Sequence, residues 1–515
     1  MKMVKSLILG SAAAFVAMSG AQAADLPVKA KAVEYVKVCS LYGAGFYYIP
    51  GTDTCIKIGG YLRVDTTFNG GVYGQPAWNG ELGLGDRYRN DYSSRSRAAL
   101  TLDTRTATEY GVVRTFSQAD FQFTTLGSQG GSSSNPNQLN TNLGNNAQLL
   151  DTDGGGYTAV EYVFIQFAGF TFGKSSSAYA TPWNGYPGNI SSYLIGGEDS
   201  VTGVNNIQYT AQFGNGVSAS IGLDDPTVFN RTAVYNTGVG ITAAGTSGNA
   251  YAGVHMPDVV GNIRVDQAWG LFQLSGAVHE VDGSYNALTA STAAPLAGSD
   301  ASGHPDTKYG GSVMAALQIK NIPTGPGDDI KVDATWAKGD TKNVIATTST
   351  SPSFLMFGGT PGQFGSAGSI AFGPTTDGIY APGGSIHLTE SYGVRGAFNH
   401  NWDPYWSSSL FGGMGWVRYD STAQANYCAA IAVNIPGQGA SYTCNPNYNI
   451  SMLGASTRWT PVKNLTFTAE TIWTHLDTGF KGTSTFSPGA PYAASTLAFK
   501  SQDTVSLQVR VQRNF

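Results

Sequence analysis

The sequence predicts an all-β fold, a 16-stranded antiparallel transmembrane β-barrel with short turns at one end and long loops at the other. Three observations lead to this prediction. The chain opens with an export signal and has no later apolar run long enough to span a bilayer as a helix. Most of the remaining sequence alternates between apolar and polar residues with the period of two that strands show. The connections between these segments are short and long in turn.

Residues 1–23 are predicted to form a secretory signal peptide. Lys2 and Lys5 make a basic start, residues 7–18 an apolar centre, and an Ala-Gln-Ala cleavage site follows. The apolar run is too short for a membrane anchor. The mature chain is therefore expected to act outside the cytoplasm.

The four cysteines form two local pairs, Cys39 with Cys55 and Cys428 with Cys444. Outside the cytoplasm this arrangement favours two disulfides, although four cysteines allow three connectivities. No Cys-x-x-Cys or clustered Cys/His spacing accompanies them, so we expect no metal site.

Charged residues make up only 12% of the chain, about half of the roughly 25% of typical globular proteins, whereas 67 residues are glycine. Such a composition suits neither a disordered tail nor a highly soluble enzyme. The sequence has no basic patch for a nucleic-acid partner and no acidic tail.

In the first and last alternating segments one face is apolar and the other is polar. After Thr54 the apolar face is Ile56, Ile58, Gly60, Leu62 and Val64, and the polar face is Lys57, Tyr61, Arg63 and Asp65. At the end of the chain the apolar face is Val505, Leu507, Val509, Val511 and Phe515, and only Arg513 interrupts it. One face suits lipid and the other suits water.

Fourteen further segments alternate in the same way, so that the total is sixteen, the even number that places both termini on one side. They are residues 92–105, 108–123, 157–167, 169–174, 203–213, 216–223, 261–269, 271–280, 307–319, 329–338, 388–402, 405–420, 447–459 and 463–477.

The connections distinguish a barrel from a soluble sandwich, which has no reason to keep every second link short. Short links include residues 106–107, 214–215, 270, 403–404 and 460–462, and long loops include residues 124–156, 224–260, 339–387 and 421–446. Alternating link lengths are typical of outer-membrane barrels with short periplasmic turns. Because sixteen strands leave an aqueous channel, the expected function is passage of polar solutes.

Three stretches resemble the porins of alphaproteobacteria, the rhizobial and brucella-type family. They are ADLPVKAKAVEYVKVC (24–39), CSLYGAGFYYIPGTDTCIKIGGYLR (39–63) and the terminal Phe515. The resemblance implies a homotrimeric porin in the outer membrane of a Gram-negative cell, in contact with outer-membrane lipid. Small hydrophilic solutes and ions would cross it without a cofactor, and Phe515 would act as the barrel-insertion signal.

Together with this resemblance, the sequence predicts a chain of three parts. Residues 1–23 are the signal peptide, residues 24–53 a segment on the periplasmic side, and residues 54–515 the barrel. The first cysteine pair then lies at the inner mouth before strand one. The second pair lies in the outside loop between strands thirteen and fourteen.

In barrels of this type the third outside loop folds into the lumen and narrows it, and the order of connections assigns residues 175–202 to that loop. Its only charges are Glu198 and Asp199, which we expect to face positive side chains. The candidates are Arg95, Arg97 and Arg105 on the second strand and Arg114 on the third. Opposed charges would create a transverse field in the pore constriction. Alternatively, they are ordinary solvated wall and loop residues.

Three functions remain open from the sequence. The leading one is a general diffusion porin. The second is a channel selective for a sugar or another nutrient, in which Tyr179, Trp183 and Tyr186 provide a stacking track. The third is an outer-membrane enzyme or adhesin, disfavoured because the six histidines are scattered and no His-Glu-x-x-His or Gly-x-Ser-x-Gly motif occurs.

Replacing Arg95 and Arg97 together with serine tests the predicted constriction. The permselectivity is expected to shift toward cations, because the transverse field loses positive charge. The measurement is the reversal potential of bilayer-inserted protein under a salt gradient. An unchanged reversal potential would place these arginines away from the constriction.

Overall fold

The structure is a computed structural model that describes eleven stretches of the chain. They are residues 37–76, 91–124, 157–192, 194–226, 232–241, 247–287, 300–345, 353–358, 368–435, 437–486 and 494–515. The predicted signal peptide and residues 24–36 of the predicted periplasmic segment lie outside the described residues. Within these stretches, no helix is long and apolar enough to cross a membrane.

Sixteen long strands, counted over the described residues, pair antiparallel with their neighbours in sequence, as predicted. Their bounds are β1 Thr54–Phe68, β2 Tyr92–Thr108, β3 Gly111–Thr124, β4 Tyr157–Phe167, β5 Phe170–Ser175, β6 Val204–Gly214, β7 Val217–Asp224, β8 Asp258–Gln267, β9 Gly270–Val281, β10 Lys308–Lys320, β11 Asp329–Lys338, β12 Glu390–Asn401, β13 Trp406–Arg418, β14 Tyr448–Val462, β15 Leu465–Thr478 and β16 Gln502–Asn514. The register of β1 with β16 runs from Tyr61 opposite Asn514 to Phe68 opposite Leu507. The first and last strands therefore close the sheet into a barrel.

The predicted alternation separates the outer surface from the lumen. On β1, Ile58, Leu62 and Val64 are about half exposed, whereas Asp65 is 1% and Thr67 0% exposed. Hydrocarbon cannot satisfy polar groups, so the apolar side faces lipid and the polar side lines the interior.

The connections sort to the two ends of the barrel as predicted. Short turns join β2 to β3, β4 to β5, β6 to β7 and every second pair thereafter, whereas the remaining connections are long. Asn215 and Gly216 link β6 to β7 with φ of 49° and 73°. Two successive positive φ values suit a tight hairpin turn whose twist matches the strands. The end with the short turns also carries the start of β1 and the end of β16.

Both predicted disulfides are present, Cys39–Cys55 and Cys428–Cys444. The first ties the 3₁₀ turn Ser40–Tyr42 and the short strand Tyr47–Tyr48 to the start of β1. Tyr48 lies opposite Cys55, at a part of β1 that β16 does not reach. The segment therefore continues the sheet beyond the end of the last strand.

The described parts of the long loops that follow β7 pack together at the outer end of the barrel. Four strands, Ser353–Gly358, Ser369–Pro374, Thr483–Phe486 and Ser495–Phe499, form one small sheet, and Ala233–Asn236, Thr376–Tyr380 and His387–Leu388 form another. The helices and helical turns among the described loop residues are Thr237–Val239, Asp300–Ser302, Lys342–Ile345 and Ser421–Ala432.

An apolar cluster, called here the loop core, holds these loops to the barrel. It comprises Leu194, Ile195, Phe354, Met356, Phe372, Tyr427, Ile431, Phe480, Phe486 and Phe499, packed on the lumen-facing Phe411, Ile450, Met452, Ile472 and Leu476. The ring of Phe372 lies 5.6 to 5.8 Å from three other phenylalanine rings. Described apolar residues of the loop 339–387, among them Phe354, Met356 and Phe372, thus pack against the luminal wall in the outer half of the barrel.

Truncating Phe372 to alanine is expected to loosen the outer loops without opening the barrel. The lost burial and the cavity should lower the local stability by about 3–5 kcal/mol. Chymotrypsin should then cleave the loops of the detergent-solubilised protein faster than in the wild type. Val433→Ala, at a 79% exposed site after the loop helix, serves as the control. Equal cleavage of the two variants would contradict the packing role.

Candidate functional site: the pore constriction

The third outside loop, residues 176–203, runs along the inner wall of the barrel after leaving β5. Asn262 on β8 donates its side-chain amide to the Ala178 carbonyl oxygen. Gln273 on β9 donates to the carbonyl oxygen of Ala180 at 2.9 Å. Trp183 then donates its indole N–H to Asp333 on β11 at 2.8 Å. The loop therefore follows the lumen across three wall segments.

The middle of the loop reaches the far wall. The backbone N–H groups of Ile190 and Ser191 donate to the two oxygens of Glu470 on β15 at 2.6 and 2.9 Å. Ser192 donates its N–H to the carbonyl oxygen of Tyr73, in the first outside loop, at 2.8 Å. Because both sides of the lumen hold it, the third loop is folded inward, as the resemblance implied.

The returning half of the loop is fixed by a buried ion pair. Arg395 on β12 pairs with Asp333 on β11, Nε to Oδ1, at 2.8 Å, and both side chains are 0% exposed. Arg395 also donates through Nη2 to the carbonyl oxygen of Glu198. Since Asp333 also accepts from Trp183, one ion pair binds both halves of the loop.

Arg95 and Arg97 lie on the luminal face of β2 and pair with carboxylates of the wall. The Nη2 atom of Arg95 lies 2.6 Å from Oδ2 of Asp65 on β1. Arg97 contacts Asp120 on β3 and lies 3.0 Å from Oε1 of Glu161 on β4. The side chains of the two arginines are 2% and 7% exposed. Their charges are therefore largely compensated before any solute arrives.

Arg105 and Arg114 occupy a different level of the lumen. Arg105 is eight residues further along β2 than Arg97, about 26 Å at about 3.3 Å per residue. Both guanidinium groups share the carboxylate of Asp103, at 3.1 and 2.9 Å, and both side chains are 29% exposed. The structure thus divides the four predicted arginines into a buried pair and an accessible pair near the short turns.

Glu198 and Asp199 lie beside a different arginine from the four predicted ones. The Glu198 backbone contacts Arg395, and its side chain is 0% exposed. Asp199 accepts the N–H of Val201 through Oδ1 at 3.0 Å. The two loop carboxylates are therefore packed between the loop and the wall.

Four luminal arginines beside the third loop or the buried pair were not among the predicted constriction residues, although Arg63 belongs to the polar face predicted for the first segment. Arg510 on β16 bonds the second oxygen of Asp65, and Arg63 on β1 donates to Gln512 at 2.8 Å. Arg458 on β14 bonds the Gly188 carbonyl oxygen in the third loop. These three and Arg395 all lie on the polar face of their strands. The alternation of each strand is the sequence signal that places them in the lumen.

A closed sixteen-stranded barrel with a polar interior, crossed by its third outside loop, has the architecture of an outer-membrane porin. The sequence model of a family described as "Porin subfamily" matches residues 25–507. The chain belongs to this porin family.

Curated relatives agree with this assignment, and a solved structure shares the fold. "Porin Omp2b" of Brucella abortus (strain 2308) is 36% identical over 272 residues, and that of Brucella melitensis biotype 1 is 35% identical. Each match covers 52% of this chain but only 63% of the relative's length. The outer membrane channel DcaP of Acinetobacter baumannii shares the fold, with a TM-score of 0.53 and 14% identity, over 91% of this chain and 99% of that one.

Glu470→Ala is expected to free the middle of the third loop, because two backbone N–H groups lose their acceptor. The single-channel conductance should rise and become noisier as the loop moves toward its remaining anchors. Glu470→Gln keeps one acceptor oxygen at the same position and should change the conductance less. Wild-type conductance in Glu470→Ala would show that this contact does not hold the loop.

Proposed function

We propose that this protein is a porin that forms a passive aqueous channel for small hydrophilic solutes and ions across the outer membrane. Residues 175–202 act as its constriction loop, inside the barrel of residues 54–515. The observation that carries the proposal is the inward loop, bonded to Asp333 on one side and to Glu470 on another. Specific hydrogen bonds at both walls fix this loop across the polar lumen, so that the loop narrows the passage.

We propose that the charge of the constriction comes from the buried pair Arg95 and Arg97 together with neighbouring luminal arginines. At the level of the loop's middle, Arg95 and Arg97 are joined by three further arginines, Arg63, Arg458 and Arg510. The carboxylates at this level are Asp65, Asp120, Glu161 and Glu470. Five guanidinium groups against four carboxylates leave this wall a positive excess of one. Such a field favours small anions modestly and orients dipolar solutes.

The remaining predicted residues have proposed roles of their own. Glu198 and Asp199 position the returning half of the loop through Arg395, and Phe515 acts as the barrel-insertion signal. Membership of the porin family supports a homotrimer in contact with outer-membrane lipid, and a channel without enzymatic activity or cofactor. Residues 1–23 and 24–53 keep their proposed roles as signal peptide and periplasmic segment.

The selective sugar channel is less well supported by the loop geometry. Tyr179 and Trp183 are 1% and 7% exposed, and the Trp183 indole is bonded to the wall. Buried rings cannot stack on a passing sugar. Of the three proposed stacking residues only Tyr186 is partly exposed, and its hydroxyl is hydrogen-bonded to that of Ser192.

Conductance in planar bilayers tests the proposed function. A general diffusion porin should give large ohmic openings, closing in steps of three for a trimer, with no saturation by any sugar. Saturable block by one sugar would favour the selective channel instead. Absence of openings from folded protein would contradict both.

A further inference from the structure

The disulfide Cys39–Cys55 lies on the luminal side of the inner mouth. Cys55 shares the strand parity of Asp65 and Thr67, whose side chains are buried in the lumen. In the register of β1 with β2, Cys55 lies opposite Arg105. The bridge therefore brings Cys39 and the residues after it to the luminal wall at the end with the short turns. Residues 39–48 are called here the inner-mouth segment.

Two rings of this segment surround the guanidinium of Arg105. Its Cζ atom lies 4.9 Å from the ring centre of Phe46 and 5.7 Å from that of Tyr42. Phe46 is 5% exposed and closes the segment by accepting the N–H of Cys39 through its carbonyl oxygen at 2.9 Å. A cation beside aromatic faces is held in a fixed orientation. The disulfide loop thus positions a luminal arginine.

Arg114 is oriented in the same way by the wall. Its Cζ atom lies 5.2 Å from the ring centre of Phe116 and 5.5 Å from that of Phe164, and these two rings stack at 5.3 Å. Both rings are partly exposed and lie on luminal positions of β3 and β4. The inner mouth therefore combines fixed guanidinium groups with flat apolar surface.

The positive charge of this cluster exceeds its negative charge. Asp103 is shared by Arg105 and Arg114, and exposed Lys57 lies opposite Asp103 on the same luminal face. Three cations therefore surround one carboxylate. Asp53 and Glu109 are exposed in the adjoining turns, at the rim rather than on the strands. Because the Arg105 and Arg114 side chains are 29% exposed, a solute in the lumen can reach them.

We propose that the inner-mouth segment completes a binding site for small monocarboxylates with a flat apolar part, formed by Lys57, Arg105 and Arg114. Guanidinium groups bind carboxylates in their plane, as Asp103 already does from the wall, and the phenylalanine rings accept the apolar part. The site rests on the proposed channel function. It acts in series with the constriction and is separated from it along the barrel.

Benzoate added to the periplasmic side of a planar bilayer tests the site, with neutral benzamide as the matched probe. Benzoate should reduce the wild-type conductance in a saturable way, and benzamide should not. In Arg114→Met the half-blocking benzoate concentration should rise about tenfold. Arg264→Met removes another luminal arginine, on β8 and bonded to Gln273. Its half-blocking benzoate concentration should equal that of the wild type.

The two disulfides provide a second comparison with equal sequence separation. Cys39→Ser/Cys55→Ser should weaken benzoate block as Arg114→Met does, and Cys428→Ser/Cys444→Ser, in an outer loop, should not. Equal block in the wild type and Arg114→Met, or block by benzamide, would overturn the site. The same recordings show whether channels open before benzoate is added. Openings without benzoate block would contradict the binding site alone, whereas a lack of openings would contradict the channel function.

Discussion

Every backbone N–H and C=O group of a strand in hydrocarbon needs a partner inside the protein, because lipid offers none. In this chain the requirement is met by the pairing of β1 with β16, without which both strands would present a bare edge to the bilayer. The pairing ends near Tyr61, and the short strand Tyr47–Tyr48 takes over at Cys55 and Ile56. Closure of the sheet also creates the lumen, so the site exists only as a consequence of it.

A closed sixteen-stranded wall leaves space that its own side chains do not fill. The protein fills the outer part of that space unevenly. On one side the loop core packs against Phe411, Ile472 and their neighbours, which are apolar although they face the lumen. The third loop contributes Leu194 and Ile195 to this core and also bonds polar groups of the wall, Asp333 and Glu470. The apolar packing fixes the loops, and the polar contacts set the shape of the passage.

Charged groups in the lumen are arranged differently at the two levels. Near the loop, Asp65 is shared by Arg95 and Arg510, and Arg395 pairs with Asp333, so that these buried arginines each lie beside a carboxylate. A buried ion without a partner is costly, and these pairs avoid that cost. Near the short turns, Arg105 and Arg114 remain partly exposed, where water solvates their excess charge.

The alternation of single residues determined most of the fold. Ile58 and Asp65 on β1, and Leu507 and Gln508 on β16, already show which side of each strand meets lipid, because side chains on a strand alternate strictly between its two faces. The lengths of the connections determined which end carries the elaborate loops, and the spacing of the cysteines left their pairing open. Only the tertiary structure decided that Glu198 lies beside Arg395 instead of Arg97, and that Phe46 lies on Arg105. Such contacts join residues far apart in the chain, and their geometry depends on barrel closure and on how the loops fold into the lumen, which no local pattern encodes.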